Sequence, residues 1–349
     1  MDKVYRQSVS RIVFRLFASS ILSVLILSAF IYFYRHSLGM ANPNKTTDVT
    51  WYPNQFCSNM QEGFSWFHFD ENGFNNCFPP KKEKIDILLI GSSQLEAIQI
   101  KPNENIGFLL NVLIPDYYSY NIGISAHFLP VNVNNLLNAY NYYKPNNYIV
   151  IETGRIVLEI QEMINVLNGK LKRKIPIDKG INYYIKFYAP PIKSLLKKVN
   201  EQISLWKNNS TIILKKNNKD QDNNFINKEE YKETLNKFLS FARKSVPETI
   251  PIMVFYHPTY TLQTDGSIKN DTDKWYFDTF EEACKNNNII FIDTDNDLQE
   301  LYKTRHILPY GFINTAVGTG HLNKYGHEVI AKCLAKEILK LEGKNHGTK

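Results

Sequence analysis

The sequence predicts an α/β protein: a three-layer α/β/α domain with a parallel five-stranded sheet, preceded by one N-terminal transmembrane helix. The first observation behind this prediction is that short apolar runs alternate with longer amphipathic segments after Pro80. This alternation is typical of parallel strands connected by helices. The second observation is an uncharged stretch, residues 16–34. As a helix it would be about 28 Å long, close to the thickness of the hydrocarbon core of a bilayer.

The composition is that of a folded globular protein. Hydrophobic residues make up 43% of the 349 residues and charged residues 21%, which is enough apolar material for a large core. The formal net charge of +7 is too small for a dedicated nucleic-acid binder and suits an anionic membrane surface. The four cysteines form no C-x-x-C pair, which excludes a zinc ribbon or a thioredoxin motif. We expect no nucleic acid, no metal and no cofactor.

The charges that flank the uncharged stretch predict its orientation. The residues before it are rich in basic side chains: Lys3, Arg6, Arg11 and Arg15. Cytoplasmic flanks carry the excess of Lys and Arg, so the amino end is expected in the cytoplasm. The expected layout is a cytoplasmic tail (1–15), a single-pass membrane helix (16–34), an extracytoplasmic linker (35–80) and an extracytoplasmic α/β domain (81–345). A cleaved signal peptide, whose apolar part is usually about 7 to 15 residues, and a buried core helix are the alternatives.

Five apolar runs are predicted to be the strands of the sheet: 85–90, 117–122, 148–152, 252–256 and 289–292. About a hundred residues separate the third run from the fourth, far more than an ordinary connection needs. This predicts a helical insertion at about 156–230. Its basic and aromatic residues would either form solvated helices packed on the core or lie against lipid headgroups.

Two cysteines enclose an irregular segment of the predicted linker. Cys57 and Cys77 lie at either end of residues 58–76, which are rich in Trp, Phe and Asn and have no helical period. Disulfides persist in an extracytoplasmic compartment. A Cys57–Cys77 bridge is therefore predicted, with two ordinary thiols as the alternative.

A serine and two histidines lie where ligands of open α/β sheets bind, outside the carboxyl ends of the strands. Ser93 follows the first predicted strand directly. It is a candidate nucleophile, although a serine at a helix start also serves as an N-cap. His321 lies in a glycine-flanked loop before the last helix, where its imidazole would reach the serine as a base, although histidines are common in loops. His257 ends the fourth strand and would either line the site or have a structural role.

Three short blocks together resemble the SGNH, or GDSL-like, hydrolase superfamily. The first block matches Gly91-Ser92-Ser93, the second runs from Asn121 to Ala126, and the last begins at His321. The resemblance implies an SGNH/flavodoxin-like sheet, with Ser93 as the nucleophile and His321 as the base. It also implies that the backbone amides of Ser93 and Ala126 form the oxyanion hole, and that Gly123 lines the site.

The chain departs from the family pattern in its third block. The asparagine that donates to the oxyanion is replaced by Ile156 in this sequence. Thr153 or Arg155 would have to substitute for it, and both are expected to line the site.

The family's catalytic acid is absent from its usual position. It normally lies three residues before the histidine, which is Gly318 here. Asp293 at the end of the fifth predicted strand is the candidate that we favour. Asp295, Glu152 and a backbone carbonyl are the alternatives for orienting the imidazole.

The resemblance implies a function at the cell envelope. Membrane-anchored members of the superfamily are acyl esterases or O-acyltransferases, so serine-dependent O-acyl transfer to, or ester hydrolysis on, an envelope glycan is expected. The expected partners are the lipid bilayer, a carbohydrate or acylated small molecule, and a membrane acyl-donor protein. A non-catalytic protein that binds glycans or acts as a scaffold in polysaccharide synthesis is the alternative, because two family residues are missing.

Overall fold

The computed structural model of the protein describes residues 2–33, 37–77, 84–171 and 227–346. Residues 172–226, the larger part of the predicted insertion, lie outside the described chain. The described residues fall into two compact units. One contains the N-terminal helix, and the other contains residues 39–171 and 227–346.

The N-terminal helix, α1, spans Asp2–Phe33. Its segment Arg11–Ala29 has 19 residues, is apolar enough to cross a membrane, and is not buried inside the protein. This segment begins a few residues before the predicted stretch, 16–34. Its length, its composition and its place near the amino end fit a membrane span and also fit a signal sequence.

Residues 39–77, predicted as a linker, form two antiparallel β-hairpins in the same unit as the main sheet. Their strands are β1 (Gly39–Ala41), β2 (Val49–Trp51), β3 (Phe56–Asn59) and β4 (Ser65–His68). β1 pairs with β2, and β3 pairs with β4. Successive residues of β4 are alternately buried and exposed, as expected for a strand with one face against a core. The segment is therefore folded, in contrast to the predicted linker.

Aromatic stacking and one carboxylate order this segment. The ring of Trp51 stacks on that of Phe69 with centroids 5.6 Å apart. The carboxylate of Asp70 accepts hydrogen bonds from the amide of Phe74 at 3.0 Å and from the hydroxyl of Tyr120 at 2.8 Å. Tyr120 belongs to the main sheet, so Asp70 attaches the N-terminal segment to the α/β domain.

The predicted Cys57–Cys77 disulfide is not formed: both cysteines are thiols. Cys57 is buried in β3 beside Phe67 and Phe69, whereas Cys77 is exposed. The prediction assumed that the enclosed residues could not order themselves. The two hairpins and the hydrogen bonds of Asp70 provide that order without a bridge.

The main sheet has five parallel strands, and the predicted fold class is confirmed. The strands are β5 (Ile87–Ile90), β6 (Ser119–Asn121), β7 (Tyr148–Thr153), β8 (Ile252–Tyr256) and β11 (Ile289–Asp293). Their spatial order is β6-β5-β7-β8-β11. A short hairpin, β9 (Tyr260–Leu262) with β10 (Ile268–Asn270), follows β8. All five predicted strands are present, with bounds that differ by a few residues.

Helices cover both faces of the sheet, as parallel sheets require. They are α2 (Ser93–Glu96), α3 (Ile106–Leu113), α4 (Leu129–Tyr143), α5 (Ile160–Leu167), α6 (Lys228–Lys244), α7 (Lys274–Asn286), α8 (Asp295–Arg305) and α9 (Lys324–His346). Leu88 and Ile90 of β5 face a core with α4 to α7. Ile87 and Leu89 face a second core with α3, α8 and α9. This is a three-layer α/β/α arrangement.

The sheet order fixes where a ligand can bind. After β5 the chain forms β6 on one side and then crosses to form β7 on the other side. The carboxyl ends of β5 and β7 therefore border the switch-point crevice, where open α/β sheets bind their ligands. Ser93 follows β5 at this edge.

Candidate active site

Ser93 lies at the turn between β5 and α2. The hydroxyl of Ser92 caps α2 by accepting a hydrogen bond from the amide of Gln94 at 3.3 Å, which leaves the hydroxyl of Ser93 available for other contacts. Glycine is needed at position 91, because a Cβ there would lie 2.7 Å from the Cβ of Glu152. Gly91 thus allows β5 and β7 to lie close together where β5 ends. Ser93 follows two residues later, at the carboxyl edge of the sheet, and is partly exposed.

The structure brings the two predicted catalytic residues together. Ser93 Oγ lies 2.9 Å from His321 Nε2. The loop that carries His321 ends where the side chain of Asn323 caps α9, accepting hydrogen bonds from the amides of Tyr325 and Gly326. The imidazole therefore reaches the serine from the loop before the last helix, as predicted.

A carboxylate that sequence reasoning missed completes the arrangement. Glu62 Oε2 lies 2.6 Å from His321 Nδ1, and Glu62 Oε1 accepts a hydrogen bond from the His321 amide at 2.8 Å. An ionised carboxylate only accepts hydrogen bonds, so it places the imidazole proton on Nδ1 and leaves Nε2 to accept from the serine. Ser93, His321 and Glu62 are thus arranged as a nucleophile, a base and an orienting acid.

Glu62 comes from the turn between β3 and β4, in the N-terminal segment. Gly63 allows this turn to lie against the α/β domain: its φ is +73°, and a Cβ would lie 2.1 Å from the carbonyl oxygen of Gln99. On the histidine side, Gly320 has φ of +86°, and a Cβ would lie 2.3 Å from Glu62 Oε1. The two glycines permit the carboxylate to approach His321.

The predicted acid, Asp293, is not the partner of the histidine. It lies on β11, at the far edge of the sheet, with β7 and β8 between it and β5. Its carboxylate accepts a hydrogen bond from the amide of Asp295 at 2.9 Å. The Asp295 carboxylate in turn binds Tyr260 and Asn270. Strand order therefore separates both aspartates from the serine.

The second block lies beside the nucleophile turn. The amide of Ile124 donates to the carbonyl of Gly91 at 3.0 Å, and a Cβ on Gly123 would lie 2.7 Å from the amide nitrogen of Glu96. Ala126 has φ of +62°, in the left-handed region that favours glycine. Alanine adopts this conformation here without the glycine that it usually requires. The contacts of Gly123 and Ile124 thus hold the second block against the nucleophile turn, two to three residues before Ala126.

The third block supplies an arginine at the surface. Ile156, at the position of the family's asparagine, is buried, and the hydroxyl of the buried Thr153 donates to the carbonyl of Arg155 at 2.6 Å. The exposed guanidinium of Arg155 lies 5.5 Å from the ring centroid of Phe128, two residues after Ala126. Of the two predicted substitutes, only Arg155 presents a donor to solvent beside the second block.

His257, predicted to line the site, is buried behind it. Its Nε2 lies 2.7 Å from Glu152 Oε1, and its Nδ1 lies 2.8 Å from the hydroxyl of Tyr310. Glu152 Oε2 accepts a hydrogen bond from the amide of Ser92 at 2.6 Å. Burial raises the pKa of Glu152, but the hydrogen bond and charge of His257 and the Ser92 amide outweigh it and hold the pKa below its ordinary value. The buried pair thus supports the nucleophile turn from below.

A second buried carboxyl lies beneath the second block. Glu96, at the end of α2, is completely buried, and it accepts hydrogen bonds from the indole of Trp51 and the hydroxyl of Ser125. Burial raises its pKa to about 7, and the contacts with Ser125 and Trp51 oppose this only in part. The residue before Ala126 therefore rests on a carboxyl that changes charge near neutral pH.

Glu96→Gln is expected to remove a pH-dependent loss of stability. The pKa of Glu96 rises from its ordinary 4.5 to about 7 on folding, so between these values the folded state holds a proton that the unfolded state has released. The free energy of unfolding should fall as the pH rises through this window, by ~3 kcal/mol at most. Glutamine does not titrate. Urea unfolding of both proteins at about pH 4 and about pH 8 measures the free energy of unfolding. The prediction is wrong if the wild type and the variant differ by the same amount at both pH values.

No group of three or more His, Cys, Asp or Glu residues within the described ranges has the geometry to hold a metal ion. The groups gathered at the carboxyl edge are those of nucleophilic catalysis: a hydroxyl, an imidazole, a carboxylate and main-chain amides.

The backbone is similar to those of two solved esterases and a solved lipolytic protein. A catalytic mutant of an acetylxylan esterase from Geobacillus stearothermophilus is 15% identical, with a TM-score of 0.36 over 72% of this chain and 93% of that one. A lipolytic protein of the G-D-S-L family from Veillonella parvula is 13% identical, with a TM-score of 0.37 over 72% and 97%. An esterase from a Pseudoalteromonas species is 12% identical, with a TM-score of 0.38 over 74% and 99%. No family model and no curated protein matches the chain.

Proposed function

We propose that this protein is a serine-dependent enzyme that hydrolyses or transfers an O-acyl ester. The observation that carries the proposal is the hydrogen-bonded series from Ser93 Oγ to His321 Nε2, and from His321 Nδ1 to Glu62. A serine is a weak nucleophile unless an adjacent base takes its proton. A third group that fixes the tautomer of that base completes the requirement.

In the first step, Ser93 Oγ attacks the ester carbonyl while its proton passes to His321 Nε2. Glu62 stabilises the imidazolium that forms. The amides of Ser93 and Ala126 donate to the oxyanion of the tetrahedral intermediate. When that intermediate collapses, His321 gives its proton to the leaving alkoxide, and the acyl group remains on Ser93.

The second step decides between hydrolysis and transfer. His321 takes a proton from water or from a hydroxyl of an acceptor, and the resulting oxygen nucleophile attacks the acyl-Ser93 ester. Ser93 regains its proton, and an acid or a new ester leaves. The chemistry of the triad is the same in both cases, so the acceptor admitted to the site determines the reaction.

We further propose that the site acts on a glycan of the cell envelope. The side chains of His321 and Glu62 are 26% and 21% exposed, so a large substrate can reach the triad at the surface. Helix α1 would hold the enzyme at the membrane with its amino end in the cytoplasm, because basic residues precede the apolar segment. A membrane acyl-donor protein would then supply the acyl group beside the bilayer.

A non-catalytic glycan-binding protein or scaffold is the second candidate function. It is favoured by one observation: buried Ile156 takes the place of the oxyanion asparagine of the family. Removing one oxyanion donor typically costs about 10²–10³ in rate. A binding protein would keep the surface and the fold without needing the triad.

A covalent label distinguishes the two candidates. The full chain in detergent is incubated with a fluorophosphonate, which loses fluoride when an activated serine attacks its phosphorus. Mass spectrometry of the peptides is expected to place one phosphonyl group on Ser93, and none on the adjacent Ser92, whose hydroxyl caps α2. Ser93→Ala should remain unlabelled. An unlabelled wild-type protein that still binds envelope glycan would favour the binding function.

The proposed orientation is tested separately from the chemistry. Cys77 is an exposed thiol, so both cysteine variants of this test carry Cys77→Ser. A cysteine introduced at Asn217, within the predicted insertion, is expected to react with a membrane-impermeant maleimide in intact cells, because the domain would face away from the cytoplasm. A cysteine at Lys3 serves as the control and should react only after lysis. Reaction at Asn217 only after lysis would contradict this topology.

A further inference from the structure

Two carboxamide side chains each hold the main chain on both sides of one triad residue. The first is Gln94, which directly follows the nucleophile Ser93. Its Oε1 accepts a hydrogen bond from the amide of Leu322 at 2.7 Å, and its Nε2 donates to the carbonyl of Gly320 at 3.2 Å. Gln94 therefore joins the nucleophile turn to the residues immediately before and after His321.

The second carboxamide is Asn314, in the loop before α9. Its Oδ1 accepts a hydrogen bond from the amide of Gly63 at 2.9 Å. Its Nδ2 donates to the carbonyl of Met60 at 3.2 Å and to that of Gly63 at 3.0 Å. Asn314 therefore holds the main chain on both sides of Glu62, at the tip of the hairpin.

Such contacts matter here because two triad residues lie on loops. Glu62 occupies a hairpin turn and His321 lies between two regular elements. Sites on loops are less precise than sites on helices and strands, and catalytic groups need to stay within about 0.5 Å of their productive geometry. A displacement of about 1 Å can cost 10²-fold in rate.

A carboxamide is suited to this position. It offers a donor and an acceptor at once, so one side chain can bind both the amide and the carbonyl of a loop. It is also neutral, and a charge placed beside the histidine would change the relative stability of the imidazole and the imidazolium. Gln94 and Asn314 can thus fix the loops without disturbing the electrostatics of the triad.

We propose that Gln94 and Asn314 are positioning residues of this site: Gln94 sets the place of His321 relative to Ser93, and Asn314 sets the place of Glu62 relative to His321. The inference rests on the proposed function for its kinetic effect. The positioning itself, which is the distance between the carboxylate and the imidazole, can be tested without enzymatic turnover.

The test uses Gln94→Met and Asn314→Leu in the full chain, in detergent. Both variants keep side-chain size and lose the hydrogen bonds without adding charge. The kcat for p-nitrophenyl acetate is expected to fall by about 10- to 100-fold, with KM unchanged, because the reacting groups are misplaced and the substrate contacts are intact. Asn287→Leu is the matched control: Asn287 Nδ2 donates to the carbonyl of Ala283 at 2.8 Å, at the end of α7.

A second measurement does not depend on activity. The proton between His321 Nδ1 and Glu62 should give a far-downfield NMR signal in the wild type, assigned by its loss in Glu62→Ala. Gln94→Met and Asn314→Leu are expected to weaken or abolish this signal at temperatures where both variants remain folded, whereas Asn287→Leu keeps it.

The outcomes separate the two ideas. A wild-type protein that neither cleaves p-nitrophenyl acetate nor is labelled on Ser93 by the fluorophosphonate would remove the proposed function, and the proton signal would still test the positioning. Unchanged kcat and an unchanged signal in both variants would overturn the positioning role. A loss of activity matched by the same loss in Asn287→Leu would also overturn it, because the effect would then be one of general stability.

Discussion

Ser93→Ala and His321→Ala are each expected to lower the kcat for cleavage of p-nitrophenyl acetate by about 10⁶-fold, and the double variant by hardly more. The reason is that the hydroxyl and the imidazole act as one unit, with Ser93 Oγ only 2.9 Å from His321 Nε2. Without the imidazole the serine is not activated, and without the serine the imidazole has no hydroxyl to activate. Steady-state kinetics of the three variants and the wild type measure the coupling.

Ser92→Ala is the control for this series. It removes a hydroxyl one residue away that caps α2, so it should cost about 1 kcal/mol of stability and leave the nucleophile in place. Independent effects of Ser93→Ala and His321→Ala, which multiply in the double variant, would show that the two residues do not act together.

Glu62→Gln is expected to lower kcat by about 10⁴-fold, because an amide beside His321 Nδ1 can donate a hydrogen bond and stabilise the wrong imidazole tautomer. The wild-type carboxylate, 2.6 Å from Nδ1, can only accept a hydrogen bond and so favours the tautomer with the proton on Nδ1. The measurement is kcat at neutral pH, with circular dichroism to show that the variant is folded.

Asp293→Asn distinguishes the acid found in the structure from the acid predicted by the sequence. Asp293 lies at the opposite edge of the sheet, so its substitution should leave kcat unchanged. If Asp293→Asn abolished activity and Glu62→Gln did not, the assignment of Glu62 as the orienting acid would be wrong.

The sequence predicted the sheet well because parallel strands are buried on both faces. Runs such as 87–90 and 252–256 are apolar at every position, and every residue of both is buried. Ser93 and His321 were found for a related reason: each directly follows or precedes a strongly patterned element, so its place at the carboxyl edge follows from the topology.

Glu62 was missed because its position depends on tertiary docking. No periodic pattern marks the acid, and the family position for it holds Gly318. A weak signal was present: residues 56–59 and 65–68 flank a short loop containing Gly63, which is a hairpin pattern. That pattern alone predicts a turn. Which turn meets His321 is decided by contacts such as those of Asn314, which lie more than two hundred residues away in the chain.

The long sequence separations within the triad have a consequence for biosynthesis. His321 is 259 residues from Glu62 and 228 residues from Ser93. A ribosome that adds roughly 5 to 20 residues per second needs roughly 13 to 50 s to proceed from the codon for the acid to the codon for the base. During nearly all of that time the nascent chain carries its nucleophile without a base. The triad therefore cannot assemble before His321 has been synthesised, so a nascent chain that stops short of His321 holds a serine without its base.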